Sequence, residues 1–377
     1  MRLLILVPLF FTQAGFANSD WDEQDFVFDI NVKSQQSDSK NIVDKSHEAN
    51  LEASLVHLFD GLSSKALVSL SKQFFELESL SKFEKESYRA EFGLRYFLNE
   101  YSNFDVILNY YNQFELADPV RYRFYAEPPR IVAQEYNSVS VRFNLGNDQT
   151  LRKLTLSADF VDSNITDDLT DIRLRQWQTV QTKVRFDHRF TEDSHWSADT
   201  EIRSGDYGNF DSLSERTYVD LRAGFKTRYF GNSSISILAG VSNQDQSDLL
   251  ESNAASWKIK NTLNVTENFT VELGSLRQFN YSDNPDFATS DQISSGLDFR
   301  YSFTEQLATT LSLESFRNEY SEQDWSEDNS VLIRANYLYN DHLLIFFRTK
   351  FAELKGNQTE LNFDSKSASL GIKFELL

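Results

Sequence analysis

Several cationic residues that could bind a charged solute lie an even number of residues apart. They occur within stretches where apolar and polar residues alternate. Successive side chains of a β-strand point to opposite faces, so residues an even number apart share one face. The polar face of the stretch 172–190 carries Arg173, Arg175, Lys183, Arg185, Asp187 and Arg189. Rings and ladders of such charges set which ions enter a water-filled passage.

The same polar face continues through the next two alternating stretches, where acidic residues are interspersed with the cations. Its charged residues are Asp199, Glu201, Arg203, Asp220, Arg222, Lys226 and Arg228. A tight turn at 191–195 would place Arg185 near Glu201 and Lys183 near Arg203. We expect a lining formed by Arg173, Arg175, Lys183, Arg185, Glu201, Arg203, Arg222, Lys226 and Arg228. Two interpretations are open: a salt-bridge network that keeps the wall rigid, or a track for an anionic or polyhydroxylated solute.

The longest stretch without alternation, 115–134, combines basic and aromatic residues with three prolines. The residues of interest are Arg121, Tyr122, Arg123, Phe124, Tyr125 and Arg130. Long connections are commonly either functional or mobile. This composition suits sugar stacking or an inward-folded constriction, and it equally suits an ordinary loop packed on itself.

No residue pattern predicts catalysis, a metal site or a cofactor. The chain has no cysteine, which excludes thiolate zinc sites, iron–sulfur clusters and cysteine nucleophiles. Asp167, Asp168 and Asp171 suit an acidic loop better than a calcium site. The segment His195-Trp196-Ser197 superficially resembles the outer-membrane phospholipase pattern, but it lies beside a short turn, away from the outer leaflet where such hydrolases act. We therefore expect no enzymatic activity.

Alternating stretches recur from residue 47 to the C-terminus, separated in turn by short polar turns and longer acidic connections. The expected short turns are 60–61, 99–103, 146–149, 191–195, 231–234, 266–268, 304–306 and 340–341. The expected long connections are 161–171, 204–216, 243–254, 282–291, 319–329 and 354–365. This organisation predicts an all-β, transmembrane, antiparallel up-and-down β-barrel of about 18 strands, with about 16 as the next best count.

Residues 1–17 have the features of a signal peptide, with an apolar core too short to span a membrane. We expect cleavage after Ala17, leaving 18–377 as a single barrel domain in the outer membrane of a Gram-negative-type cell. The formal net charge is −20. This acidity argues against nucleic acid as a partner. It fits a solvated acidic surface, and it also fits an acidic outer rim that divalent cations bridge to lipopolysaccharide.

Aromatic residues near the ends of the alternating stretches predict two girdles at the membrane interfaces. Those flanking the short turns are Phe190, Trp196, Tyr229, Phe230, Phe269, Phe303 and Tyr339. Those nearer the long connections are Tyr111, Tyr136, Trp177, Trp257, Tyr281 and Phe316.

The whole pattern resembles β-barrel porins encoded beside exopolysaccharide genes, and the resemblance is best over 172–377. It rests on the Thr-Glu turns at 266–269 and 304–307 and on the strand opening at 269–273. The C-terminal residue, Leu377, departs from the terminal aromatic usual in such barrels. The resemblance implies an outer-membrane conduit for polysaccharide export, in contact with lipid, lipopolysaccharide and a periplasmic export protein. A general or sugar-selective diffusion porin is the first alternative, and a structural barrel or lipid-modifying enzyme is the second.

Overall fold

Eighteen β-strands lie within the part of the chain that this computed structural model describes. The residues described are 26–39, 42–59, 64–77, 84–116, 131–147, 150–167, 172–209, 212–230, 233–245, 253–281, 289–320, 324–340, 342–357 and 363–376. The strands are β1 (Phe26–Ser39), β2 (Ile42–Phe59), β3 (Ser64–Leu77), β4 (Glu84–Asn99), β5 (Ser102–Leu116), β6 (Ile131–Leu145), β7 (Arg152–Asp167), β8 (Ile172–Arg189), β9 (Ser194–Asn209), β10 (Ser212–Tyr229), β11 (Ser233–Gln244), β12 (Asn253–Thr266), β13 (Phe269–Tyr281), β14 (Thr289–Ser302), β15 (Leu307–Glu319), β16 (Trp325–Asn340), β17 (Leu343–Gly356) and β18 (Phe363–Leu376). The expected signal peptide and its cleavage site lie outside these residues.

Each strand pairs antiparallel with its neighbours in sequence, and β1 also pairs with β18. This last pairing runs from Phe28 opposite Leu376 to Ser39 opposite Ser365, so hydrogen bonding continues around the whole ring. The prediction of an antiparallel up-and-down barrel of about 18 strands is confirmed. Among the described residues, no helix is long and apolar enough to cross a membrane.

The alternation of the sequence separates an apolar outer face from a polar inner face. On β8, the outward side chains of Val180, Val184 and Phe186 are 47%, 39% and 41% exposed. On β9, the inward side chains of Asp199 and Glu201 are buried. In a β-strand the faces alternate with a period of two, so each strand presents large apolar residues outward and small or charged residues inward.

The eight expected short turns fall between consecutive strands, from the β2–β3 connection to the β16–β17 connection. The turn 60–61 lies outside the described residues, as do parts of 146–149, 231–234 and 340–341. The expected long connections are shorter than the sequence indicates. Most of 204–216 is not a loop, because Gly205 pairs with Arg216 and Asn209 with Ser212. Polar residues there continue the β9–β10 ladder, because backbone hydrogen bonds stabilise strands that extend past the apolar band.

Exposed aromatic residues ring the barrel at its short-turn end. The rings of Phe303 and Tyr301 pack edge-on with their centroids 4.7 Å apart. The ring centroids of Phe190 and Trp196 are 5.8 Å apart. At the other end the girdle prediction is wrong for Trp177, for Tyr136 and for Tyr111. This residue stacks on Tyr136 at 4.6 Å on the inner face, because it shares the strand face of the buried Asp105.

Candidate functional site

The inner wall of β8, β9 and β10 carries a dense set of ion pairs. Lys183 Nζ lies 3.2 Å from a carboxylate oxygen of Glu201. Arg222 contacts both Asp199, at 3.1 Å, and Glu201, at 3.3 Å. The side chains of Arg222 and Asp199 are each only 2% exposed. Buried charges of opposite sign in such contact offset much of their desolvation cost, so this part of the wall is a connected network.

The pairing across the β8–β9 turn differs by two residues from the expected one. Lys183 is opposite Glu201, and Arg185 is opposite Asp199, whereas the sequence suggested Lys183 near Arg203. The turn begins after Phe190, whose backbone N–H donates to the Ser194 carbonyl. Turn length fixes hairpin register, and this turn is shorter than a connection over all of 191–195.

Arg203 connects two strands that are not neighbours in the ring. Its guanidinium donates to the Asp220 carboxylate on β10 at 3.1 Å. It also donates to the backbone carbonyl of Phe279 at 2.6 Å and to the Asn280 side-chain oxygen at 3.1 Å, both on β13. The Tyr218 ring centroid lies 5.3 Å from the guanidinium carbon. Arg203 therefore holds β13 against the inner side of β9 and β10.

The end of β13 distant from the short turn leaves its neighbour β12. Pairing between the two strands stops at Trp257 opposite Arg277, although β12 continues to Asn253 beside β11. Beyond this point the Phe279 N–H donates to the Ser242 hydroxyl of β11 at 3.3 Å. Ser242 and Phe279 are almost completely buried. This segment, 278–281, is called the inner cover here, because it lies over the polar wall of β9–β11.

Two glycines bring the backbones of β10 and β11 close together. A Cβ atom at Gly224 would clash with the Ile237 carbonyl oxygen, and one at Gly240 would clash with the Leu221 carbonyl oxygen. A side chain at either position would therefore push the neighbouring strand away. Glycine within a strand commonly marks such a close approach of another backbone.

The remaining residues expected in the lining occupy different environments. Arg185 contacts the Asp187 carboxylate at 3.0 Å. Lys226 is half-buried on the face it shares with Arg222, and Arg228 is exposed beside the short turn. The side chains of Arg173 and Arg175 lie outside the described part, as does the expected constriction, Arg121, Tyr122, Arg123, Phe124, Tyr125 and Arg130.

A second group of charged residues lies on the inner face of β13 to β17, and the sequence alone did not predict it. Arg300 contacts Glu272 at 2.9 Å and Asp298 at 3.8 Å. Arg334 and Arg348 lie directly opposite each other on β16 and β17. The sequence does place each arginine on the polar face of its alternating stretch. Which arginines lie opposite each other depends on the register between strands, and the sequence does not give that register.

Aromatic residues also face the interior, at the end of the barrel distant from the short turns. Tyr111 is opposite Tyr136, Tyr136 is opposite Ser163, and Ser163 is opposite Trp177. The stacked rings of Tyr111 and Tyr136 are inclined by only 9°. Arg89 is opposite Tyr111 on the other side. One ladder row therefore places aromatic and basic side chains side by side.

The described residues contain no group of three or more His, Cys, Asp or Glu side chains suited to a metal ion. Ser197, of the His195-Trp196-Ser197 segment, donates its hydroxyl hydrogen to Asp187, the carboxylate that Arg185 also contacts. Ser197 thereby belongs to the same polar network as the ion pairs of β8 and β9.

Solved structures with the same fold are outer-membrane β-barrel proteins. The outer membrane protein OpdK of Pseudomonas aeruginosa has a TM-score of 0.54 and 11% identity, over 93% of this chain and 99% of that one. The ferric enterobactin receptor of the same organism, solved as a mutant with enterobactin, has a TM-score of 0.54 and 7% identity, over 94% and 82%. The siderophore receptor PirA of Acinetobacter baumannii has a TM-score of 0.53 and 8% identity, over 94% and 81%.

These TM-scores show a shared fold. No protein-family model and no curated protein sequence matches the chain.

Proposed function

We propose that this protein is an outer-membrane channel that lets hydrophilic solutes pass through its barrel. The observation that carries the proposal is the closed ring of eighteen strands with an apolar outer face and a charged inner wall. A barrel of this strand number has room for an aqueous passage. The inner cover and the ion pairs beneath it narrow one side of the interior, which suits a selective passage. The proposal assigns no catalytic step to any residue.

Conductance measurements test this proposal. Purified, folded protein added to a planar lipid bilayer should give stepwise increases in current in potassium chloride solution. The matched control is the same preparation after heat denaturation, which should give no steps. A folded barrel that binds bilayers and never conducts would contradict the proposal.

Export of an exopolysaccharide is the specific task we propose for the channel. The sequence resemblance to barrels encoded beside exopolysaccharide genes supports it. Aromatic rings on the inner wall support it too, because the apolar faces of sugar rings pack on aromatic side chains. Lipopolysaccharide around the rim and a periplasmic export protein at the short-turn end are the partners proposed with it. A deletion strain should retain polysaccharide in the periplasm and recover secretion when the gene is restored.

Diffusion of small organic acids is the second candidate, favoured by two observations. One neighbour, OpdK, was solved with vanillate, at a TM-score of 0.52 and 11% identity. In addition, this chain spans 99% of OpdK, so the two barrels are of similar size. A deletion strain that secretes polysaccharide normally but grows poorly on a low concentration of an organic acid would favour this candidate over export.

A further inference from the structure

Two arginines face each other on the inner wall of β16 and β17. Arg334 is directly opposite Arg348 in the ladder. The neighbouring residue Ile333 is 40% exposed on the outer face, which places Arg334 on the inner one. Like charges directly opposite each other on an antiparallel pair destabilise a sheet. This placement points to a role for the pair in addition to the stability of the barrel.

The carboxylates nearby are shared among several groups, and Glu314 attracts both Arg334 and Arg348. Arg300, two strands from Arg334 in the same ladder row, holds Glu272 and Asp298. Glu314 accepts a hydrogen bond from Ser330 at 3.5 Å. The buried Nε of Arg334 has no hydrogen-bond partner within the described part of the chain. The charges acting on Arg334 are those of Arg348, Asp298, Glu314 and Arg300.

This arrangement differs from the network on β8–β10. There Arg222 and Arg203 each contact carboxylates that are themselves buried. The Arg203 Nε–H has no hydrogen-bond partner among the described residues either, but a terminal nitrogen of Arg203 donates to Asp220 and to Phe279. On β16 and β17 the buried Arg334 Nε–H lies next to a second guanidinium instead of a buried carboxylate. A guanidinium donates two parallel hydrogen bonds to a carboxylate or phosphate, and it does so best where water is partly excluded.

We propose that Arg334 and Arg348 together bind the anionic group of a solute passing through the barrel, either a carboxylate or a phosphate. The anion removes the repulsion between the two guanidinium groups and supplies the acceptor for the Arg334 Nε–H. The inference rests on the proposed channel function, since the solute reaches the pair through the interior.

The test compares anions with a neutral sugar in planar bilayers. Sodium glucuronate supplies a sugar carboxylate, inorganic phosphate supplies the other anion, and glucose is the neutral control. We expect glucuronate or phosphate, and not glucose, to reduce the current through the wild-type channel. The double variant Arg334→Gln/Arg348→Gln should need at least about tenfold more anion for the same reduction, because hydrogen bonds to charged groups are lost. Whichever anion shows the larger change identifies the preferred group.

Arg317→Gln is the matched control, since Arg317 is 45% exposed and contacts Glu319. It should leave the effect of glucuronate and phosphate unchanged. An equal response of the wild type and the double variant to both anions would overturn the inference and leave the channel function intact. Arg334→Lys/Arg348→Lys keeps both charges without the planar donors, and it should show an intermediate loss.

Thermal unfolding in detergent tests the site without any conduction. Glucuronate or phosphate should raise the unfolding temperature of the wild type more than that of the Gln double variant, whereas sodium chloride at equal ionic strength should not distinguish them. A channel that fails to conduct but shows this difference contradicts the proposed function alone. Equal shifts in both proteins contradict the anion site.

Discussion

At the scale of single residues, the Arg203 side chain links the β9–β10 wall to the inner cover on β13. Changing Arg203 to Gln leaves the fully buried Asp220 with the 3.9 Å contact to Arg222 and a 3.5 Å hydrogen bond from the Ser256 hydroxyl. We expect a loss of about 3 kcal/mol in the free energy of unfolding, because breaking a buried ion pair strands a charge. Urea unfolding in lipid vesicles, followed by tryptophan fluorescence, measures it. Single-channel conductance should rise, since the inner cover loses its contact to β9.

The exposed pair of Arg317 and Glu319 provides the comparison. Arg317→Gln should cost less than about 1 kcal/mol, because solvent screens exposed ion pairs. Adding Asp220→Asn to Arg203→Gln should restore part of the lost stability. Equal costs for Arg203→Gln and Arg317→Gln would mean that the buried network contributes nothing beyond an ordinary surface pair.

The face assignment on β8 gives a second prediction. Val184 is outward and 39% exposed, so Val184→Arg places a charge in the apolar band. It should lower the free energy of unfolding by about 2–4 kcal/mol. Thr179→Arg, on the inner face of the same strand, should cost much less. The same urea titration in vesicles compares the two, and a larger cost at Thr179 would reverse the assignment of the faces.

At the scale of elements, the pairing of β10 with β11 depends on close approach between their backbones. Gly240→Ala would bring a methyl group into the Leu221 carbonyl oxygen, so the strands must separate. We expect a loss of about 1–3 kcal/mol in unfolding free energy, typical of overpacking. Gly274→Ala is the control, because no atom lies within 4 Å of its added Cβ. Similar unfolding midpoints for the two variants would show that the close approach does not require glycine.

Several elements could be predicted because their signals are local. Alternation marks the strands and their faces, and Gly, Asn, Asp and Ser mark the short turns. The departure of β13 from β12 could not be predicted in this way. It follows from contacts of Arg203 and Ser242 with a strand distant in sequence, and no local pattern records such contacts.

Register limits the prediction of the charged sites for a related reason. The β16–β17 ladder shifts by one residue between Leu338 and Asn340. Without this bulge, extrapolation from Asn340 opposite Leu343 would place Thr349 opposite Arg334. A single extra residue changes which side chains meet. The Arg334–Arg348 pair therefore depends on a backbone irregularity that composition and spacing do not reveal.

At the scale of the whole molecule, the barrel has two unlike ends, and we predict which end faces the medium. The chain has no cysteine, so single cysteines can be introduced without background. Asp245→Cys lies at the end distant from the short turns, and Glu305→Cys lies in the exposed turn between β14 and β15. In intact cells an impermeant maleimide should label position 245 and spare position 305.

Permeabilising the outer membrane should make both cysteines react, which shows that each is accessible in the folded barrel. Labelling of position 305 and protection of position 245 in intact cells would invert the orientation. The long-connection end would then face the periplasm, and the proposed periplasmic partner would have to bind there.

The pairing of β1 with β18 also determines how long the barrel has exposed edges during its assembly. Every other ladder joins strands that follow each other in the chain, whereas this one joins Phe28 to Leu376. Until β18 pairs with β1, each of these two strands keeps one row of unpaired N–H and C=O groups. Such exposed edges are templates for aggregation. The unassembled chain must therefore be shielded until these twelve residue pairs form and remove both edges together.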